Sequence, residues 1–177
     1  MYGVTKYAGE LLGQYYFIKY GLDVRSLRYP GIISWKELPG GGTTDYSIGI
    51  FYGALTNGKY ECFVNEQTTL PMIYMEDAIN ATLAIMQADP SQIKVRTSYN
   101  LAAISFSVTE LADAIRKHLP LEVEYKPDHR QKIADSWPDS IDDSAARNDW
   151  GWKHRYGLEE LVKVMLENLG PKVKEGK

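Results

Sequence analysis

Apolar residues in this chain recur every three to four positions in some stretches and alternate in twos in others, the periods of helix and strand. Residues 2–20 make the longest helical stretch: Val4, Leu11, Leu12, Tyr15 and Ile18 form an apolar stripe, and Gly21 is placed to end it. Ala8 and Gly9 are small enough for close packing. Residues 24–29 alternate as a strand through Val24, Leu27 and Tyr29, and Pro30-Gly31 stops it before the apolar pair Ile32-Ile33. A helix feeding a strand is half of a parallel crossover unit. The glycine-rich stretch 39–45 is a loop, from which Thr44 or Asp45 caps a helix to about residue 57.

Residues 60–64 and 71–74 predict short strands. A helix over 76–88 follows, capped by Glu76 or Asp77, with Ala78, Ile79, Leu83, Ile85 and Met86 facing inward. Residues 98–102 predict another strand, and Ser107 opens a helix with Glu110 in its first turn and Leu111, Ala114, Ile115 and Leu119 on one side. Residues 121–125 alternate as an edge strand, 127–138 are irregular, and Asp142 or Asp143 caps a short helix reaching Trp150. Trp150-Gly151-Trp152 marks a helix stop with packing aromatics, a last helix covers 158–169, and a charged, frayed tail starts at Pro171. The element order is that of an α/β protein, without internal repeats.

Composition narrows the function. With 177 residues, 44% of them hydrophobic, the chain can bury one sizeable core and a small satellite. A net charge of −3 gives no electrostatic footprint for nucleic acid or an anionic membrane, so neither is an expected partner. Cys62, the only cysteine, excludes an internal disulfide and is expected to be a buried thiol in a cytoplasmic setting. No run of about twenty apolar residues is present. His118, His129 and His154 share no metal-ligand spacing, so no metal is expected, and Arg147 and Arg155 are expected to be solvated.

Candidate chemistry begins at the first helix. Tyr2 and Lys6 stand four residues apart, one turn along a helix face, and an ammonium beside a phenol favours the phenolate, a group able to exchange a proton with an alcohol. Tyr15 and Lys19 repeat the spacing near the far end of the helix, and a packing or surface role suits them better. Tyr29-Pro30-Gly31-Ile32-Ile33 follows a strand, where α/β proteins place ligands. The loop 40–44 lacks the Lys of a P-loop, and no Gly-x-Gly-x-x-Gly turn exists in the chain, so these residues cannot build a dinucleotide phosphate site alone.

Four ordered segments carry a resemblance: Tyr2-Gly3-Val4-Thr5-Lys6-Tyr7-Ala8-Gly9-Glu10; Val24-Arg25-Ser26-Leu27-Arg28-Tyr29-Pro30-Gly31-Ile32-Ile33-Ser34-Trp35; Gly40-Gly41-Gly42-Thr43-Thr44-Asp45-Tyr46; and Ala134-Asp135-Ser136-Trp137-Pro138. From Tyr2 to about Leu169 the chain resembles the C-terminal portion of the extended short-chain dehydrogenase/reductases, and within them the NAD-dependent L-threonine 3-dehydrogenase branch. The resemblance implies a C-terminal portion of a Rossmann-type parallel sheet plus a small substrate-capping subdomain over residues 1–169, a charged tail over 170–177, and an N-terminal dinucleotide-binding half absent from this chain. It implies that Tyr2 transfers the proton and that Lys6 binds the nicotinamide ribose while easing ionisation of the phenol. Tyr29, Pro30, Gly31 and Ile32 then border the nicotinamide of NAD, with Ile32 or Ile33 against its ring. Thr43, with Thr44 as the second choice, binds the substrate, L-threonine, and Trp137 either closes that pocket or is a core or interface aromatic.

Relatives acting on nucleotide sugars usually carry an Arg near the start of 70–77 to neutralise a diphosphate; here Leu70 and Met72 stand there. The expected reaction of the complete enzyme is oxidation of L-threonine to 2-amino-3-oxobutyrate, with a nucleotide-sugar epimerase or dehydratase as one alternative and a noncatalytic interaction module as the other. The chain taken alone is expected to be inactive, to bind NAD poorly and to self-associate as a homo-oligomer.

Overall fold

The computed structural model describes residues 1–175. Helix α1, Tyr2–Tyr20, ends as expected at Gly21, whose φ of 68° is the left-handed conformation that glycine adopts without strain and whose N–H caps the Phe17 carbonyl at 2.9 Å. None of its residues is buried. The stripe Val4, Leu11, Leu12, Tyr15 and Ile18 is exposed, and the helix is held by specific contacts instead. Arg28 donates to both carboxylate oxygens of Glu10, Gly13 lies so close to Val24 that a Cβ there would stand 2.9 Å from its Cγ1, and the Arg96 guanidinium covers the Phe17 ring at 3.8 Å.

The expected strand over 24–29 shortens to β1, Leu27–Arg28, and Pro30-Gly31 does not end the extended chain. Gly31–Ile33 is a second strand, β2. Pro30 has no N–H to donate, so the ladder breaks at that residue, and the chain exchanges partners across it. β1 pairs in parallel with β5, Tyr99–Asn100, whereas β2 pairs in parallel with β4, Thr69–Tyr74. Between them come α2, Tyr46–Thr56, and β3, Lys59–Cys62. β4 also pairs antiparallel with β6, Ile104–Ser107, a strand that sequence periodicity misses because only three residues, 101–103, separate it from the preceding strand. β3 pairs in parallel with the expected edge strand β7, Glu122–Tyr125.

Helix α3, Met75–Gln87, differs from expectation in its inward face. Asp77, Ala78, Ala81 and Ile85 are buried, while Ile79, Leu83 and Met86 are exposed. Neither Glu76 nor Asp77 caps it. The fully buried Asp77 carboxylate instead accepts the backbone N–H groups of Arg155 and Tyr156, each at 3.0 Å, tying α3 to the start of the last helix. A single 3₁₀ turn, Pro90–Gln92, follows. Helix α4, Val108–Arg116, begins with a reciprocal Ser107–Glu110 capping box.

The stretch 127–138 is not irregular throughout: Asp128 accepts from the Arg130 N–H at 2.8 Å and starts α5, His129–Ala134. At α6, Ser144–Trp150, Asp142 accepts the Ser144 N–H, while Asp143 takes the Trp152 indole N–H at 2.9 Å and an ion pair from Arg147 at 2.7 Å. Arg147 is therefore not merely solvated. Gly151, at φ 76°, stops α6 between buried Trp150 and Trp152. Helix α7, Leu158–Lys174, runs through Pro171 where a tail is expected, because a proline forfeits one hydrogen bond while Leu161, Val162, Met165 and Leu169 hold the helix on the core. Residues 176–177 of the expected tail lie outside the described residues.

Two apolar clusters result. The larger gathers α2, α4 and α7 against β3, β4 and β6; the smaller places Ala78, Ala81 and Ile85 against Tyr99, Leu101, Trp150 and Trp152. β4 serves both, with Leu70, Met72 and Tyr74 in the first and Ile73 in the second. No helix among the described residues is long and apolar enough to cross a membrane.

Candidate functional site

The first turn of α1 presents Tyr2 and Lys6 on one side of a cleft of about 730 Å³ whose opposite wall is Ser26, Leu27, Arg28 and Tyr29. Lys6 Nζ lies 5.4 Å from the centre of the Tyr2 ring, over its face. The phenol oxygen is not its hydrogen-bond partner, and among the described residues Lys6 has no carboxylate partner, which leaves its N–H donors to the cleft. The second pair makes the contact that the first does not: Lys19 donates to the Tyr15 hydroxyl at 2.7 Å. It does so on an exposed surface about 20 Å further along the helix at 1.5 Å per residue, away from both clefts. Beside Lys6, the Arg28 guanidinium holds the Glu10 carboxyl below its ordinary range, so the nearby acid is ionised and already paired with Arg28.

A second cleft, about 400 Å³, opens where the chain exchanges sheet partners at Pro30. Tyr29, Pro30, Gly31 and Ile32 form one side, Thr44 and Trp137 the other, with Pro71, Pro138 and Ile141 between. It has the size and the largely apolar wall of a small-ligand site at the carboxyl end of a strand. Of the two isoleucines, Ile32 lines it; Ile33 is fully buried in the larger cluster. Of the two threonines, Thr44 lines it, and Thr43 sits one residue outside. The Asp45 carboxylate folds the loop back by accepting the Gly42 N–H at 2.8 Å, and Gly41 turns it at φ 94°. Trp137 is 43% exposed, so it is a cleft wall and not a core aromatic.

Tyr29 is common to both clefts, and its hydroxyl lies 2.5 Å from Thr82 Oγ1 on α3. Sequence periodicity misses Thr82, Pro71 and Ile141, because nothing in their spacing relates them to residues 29–32. The dinucleotide expected here fits in part. Unpaired Lys6 and the strand-end turn suit a ribose and an apolar ring, whereas the glycine turn that would take a pyrophosphate has no counterpart in the chain. Among the described residues, no three His, Cys, Asp or Glu side chains are grouped to hold a metal ion.

No protein-family model matches the chain. It is 54% identical over 172 residues to the mitochondrial L-threonine 3-dehydrogenase of Bos taurus, an alignment covering 96% of this chain and 46% of that protein. It is 47% identical over 174 residues to an uncharacterized epimerase/dehydratase of Staphylococcus aureus strain MRSA252, covering 97% of this chain and 54% of the other. Among solved structures, the apo form of the GalE-like L-threonine dehydrogenase from Cupriavidus necator superposes with a TM-score of 0.92 at 53% identity, covering 95% of this chain and 61% of that one. A nucleoside-diphosphate-sugar epimerase from Agrobacterium tumefaciens, at 20% identity and TM-score 0.81 over 94% of this chain and 50% of its own, shares the fold. The chain spans about half the length of the curated relatives it matches.

Proposed function

We propose that this chain, whose sequence and fold are those of the C-terminal portion of the short-chain dehydrogenase/reductases, supplies the proton-transfer and substrate-binding side of an NAD-dependent L-threonine 3-dehydrogenase. The observation that carries the proposal is Tyr29: one residue walls both the cleft of Tyr2 and Lys6 and the cleft of Pro30, Gly31, Ile32, Thr44 and Trp137. Tyr2 takes the β-hydroxyl proton of L-threonine, and Lys6 supports the phenolate and donates to the ribose. Pro30, Gly31 and Ile32 present backbone and an apolar side chain to the nicotinamide. Thr44, with Thr43 beside it, orients the polar end of the substrate, and Trp137 closes over it. A bound NAD would supply the hydride acceptor, so that loss of hydride from the hydroxyl-bearing carbon would leave 2-amino-3-oxobutyrate.

The wall of the second cleft carries no Lys or Arg. A nucleotide sugar would bring a diphosphate with no cation to meet it there, which favours the small amino acid over the sugar-nucleotide chemistry of epimerases. A cytoplasmic location agrees with the buried thiol of Cys62, although the relatives from Bos taurus and Sus scrofa are named mitochondrial. The test is to join this chain to the dinucleotide-binding half of the Cupriavidus necator relative and assay NAD reduction with L-threonine, UDP-glucose and UDP-galactose. Threonine-dependent reduction is expected; epimerisation of a UDP-sugar would overturn the assignment.

A further inference from the structure

Tyr29 is 40% exposed, yet its ring is fastened at both ends. At one end is the backbone between β1 and β2; at the other, the hydroxyl meets Thr82 Oγ1 at 2.5 Å. Thr82 Oγ1 also bonds the Ala78 carbonyl of its own helix at 2.8 Å. A carbonyl can only accept, so the one proton of Thr82 is committed to Ala78 and Tyr29 must be the donor to Thr82. The relay Tyr29 to Thr82 to Ala78 runs away from both clefts and ends in the backbone of α3. A threonine bonded back to its own helix is ordinary; a second hydrogen bond that captures a cleft wall is not required by the helix.

We propose that Thr82 is a positioning residue for the Tyr29 wall: by accepting the phenol proton it keeps the ring between the two clefts, so that a dinucleotide end and a substrate meet a formed boundary. The proposal rests on the function proposed above. Without the acceptor, the half-exposed ring samples other rotamers, some of which fill one cleft or the other, and only the fraction with the wall in place binds. Loss of one such bond then weakens apparent NAD binding about threefold to tenfold.

The test uses the fusion described above. Thr82→Val keeps the shape and removes the acceptor; Thr82→Ser keeps the acceptor. Thr82→Val is expected to raise the KM and the calorimetric Kd for NAD about threefold to tenfold while kcat falls less than about twofold, and Thr82→Ser to restore both. Tyr29→Phe is expected to add nothing to Thr82→Val in a double-mutant cycle. An unchanged Kd in Thr82→Val, a Thr82→Ser variant as impaired as Thr82→Val, or additive effects with Tyr29→Phe would each overturn the role of Thr82. If the unmutated fusion binds NAD but does not oxidise threonine, the assigned reaction fails while the Kd series still decides the role of Thr82. A fusion that binds no NAD overturns both.

Discussion

Gly31 and Thr44 approach so closely that a Cβ added to the glycine would stand 2.9 Å from Thr44 Cγ2, and 2.5 Å from the sulfur of fully buried Met72. Both distances are below ordinary van der Waals contact, so the glycine sets how near the β2 backbone lies to the loop that carries Thr44. Gly31→Ala is expected to destabilise the chain by about 1–3 kcal/mol through overpacking and, in the fusion, to raise the threonine KM by displacing Thr44. Urea unfolding with the midpoint unchanged would show that Met72 and Thr44 yield freely.

Tyr2→Phe in the fusion should lower turnover at least about a hundredfold, the lower end of what a positioned acid or base contributes, with NAD affinity little changed. Lys6→Ala should weaken both NAD binding and turnover, since its free donors serve the ribose as well as the phenol. A Tyr2→Phe enzyme that keeps most of its rate removes Tyr2 from the chemistry.

Asp77 offers a test of architecture. Its carboxylate is fully buried and takes the N–H groups of Arg155 and Tyr156, so Asp77→Ala leaves two backbone donors without an acceptor. A loss of about 2–3 kcal/mol is expected, read as a lowered urea midpoint at constant slope.

Helix α5 should respond to acid. The Arg130 side chain, its backbone N–H adding to the effect, holds the Asp128 carboxyl down to about 2 from 3.8. A depressed carboxyl contributes its stabilisation above the unfolded pKa and loses it as pH falls through the folded one, so the α5 cap should persist above about pH 4 and fail between about pH 4 and 2. The Arg130 amide resonance, followed by NMR through an acid titration, should report that step, and Asp128→Asn should abolish it.

Taken alone, the chain is expected to bind NAD weakly and to self-associate. α1 has no buried residue, and Leu83 and Met86 of α3 are also exposed, leaving apolar surface with nothing packed on it. Calorimetry and light scattering check the two halves: micromolar NAD binding contradicts the first, and a stable monomer at high concentration contradicts the second.

Much of this is legible in the residues themselves. Gly21 and Gly151 announce their helix ends because each occupies a left-handed turn, and Ser107 with Glu110 announces a helix start because the two satisfy each other locally. What escapes the sequence depends on distant partners. Pro30-Gly31 has the local character of a strand end, and only β4 alongside makes Gly31–Ile33 a strand. Ile79, Leu83 and Met86 are as apolar as the residues that are buried, but the neighbouring strands and tryptophans meet Ala78, Ala81 and Ile85. Thr43 and Thr44 are chemically the same residue, and the direction of the turn after Gly41 separates them.

β4 is also a mechanical link. Its side chains are divided between the two apolar clusters, and its backbone bonds β2 on one edge and β6 on the other, so neither cluster can loosen without pulling on a strand that the other holds. Amide protons of Met72 and Ile73, neighbours facing different clusters, should therefore exchange with solvent at the same free energy, and the two halves of the molecule should come apart in one cooperative event.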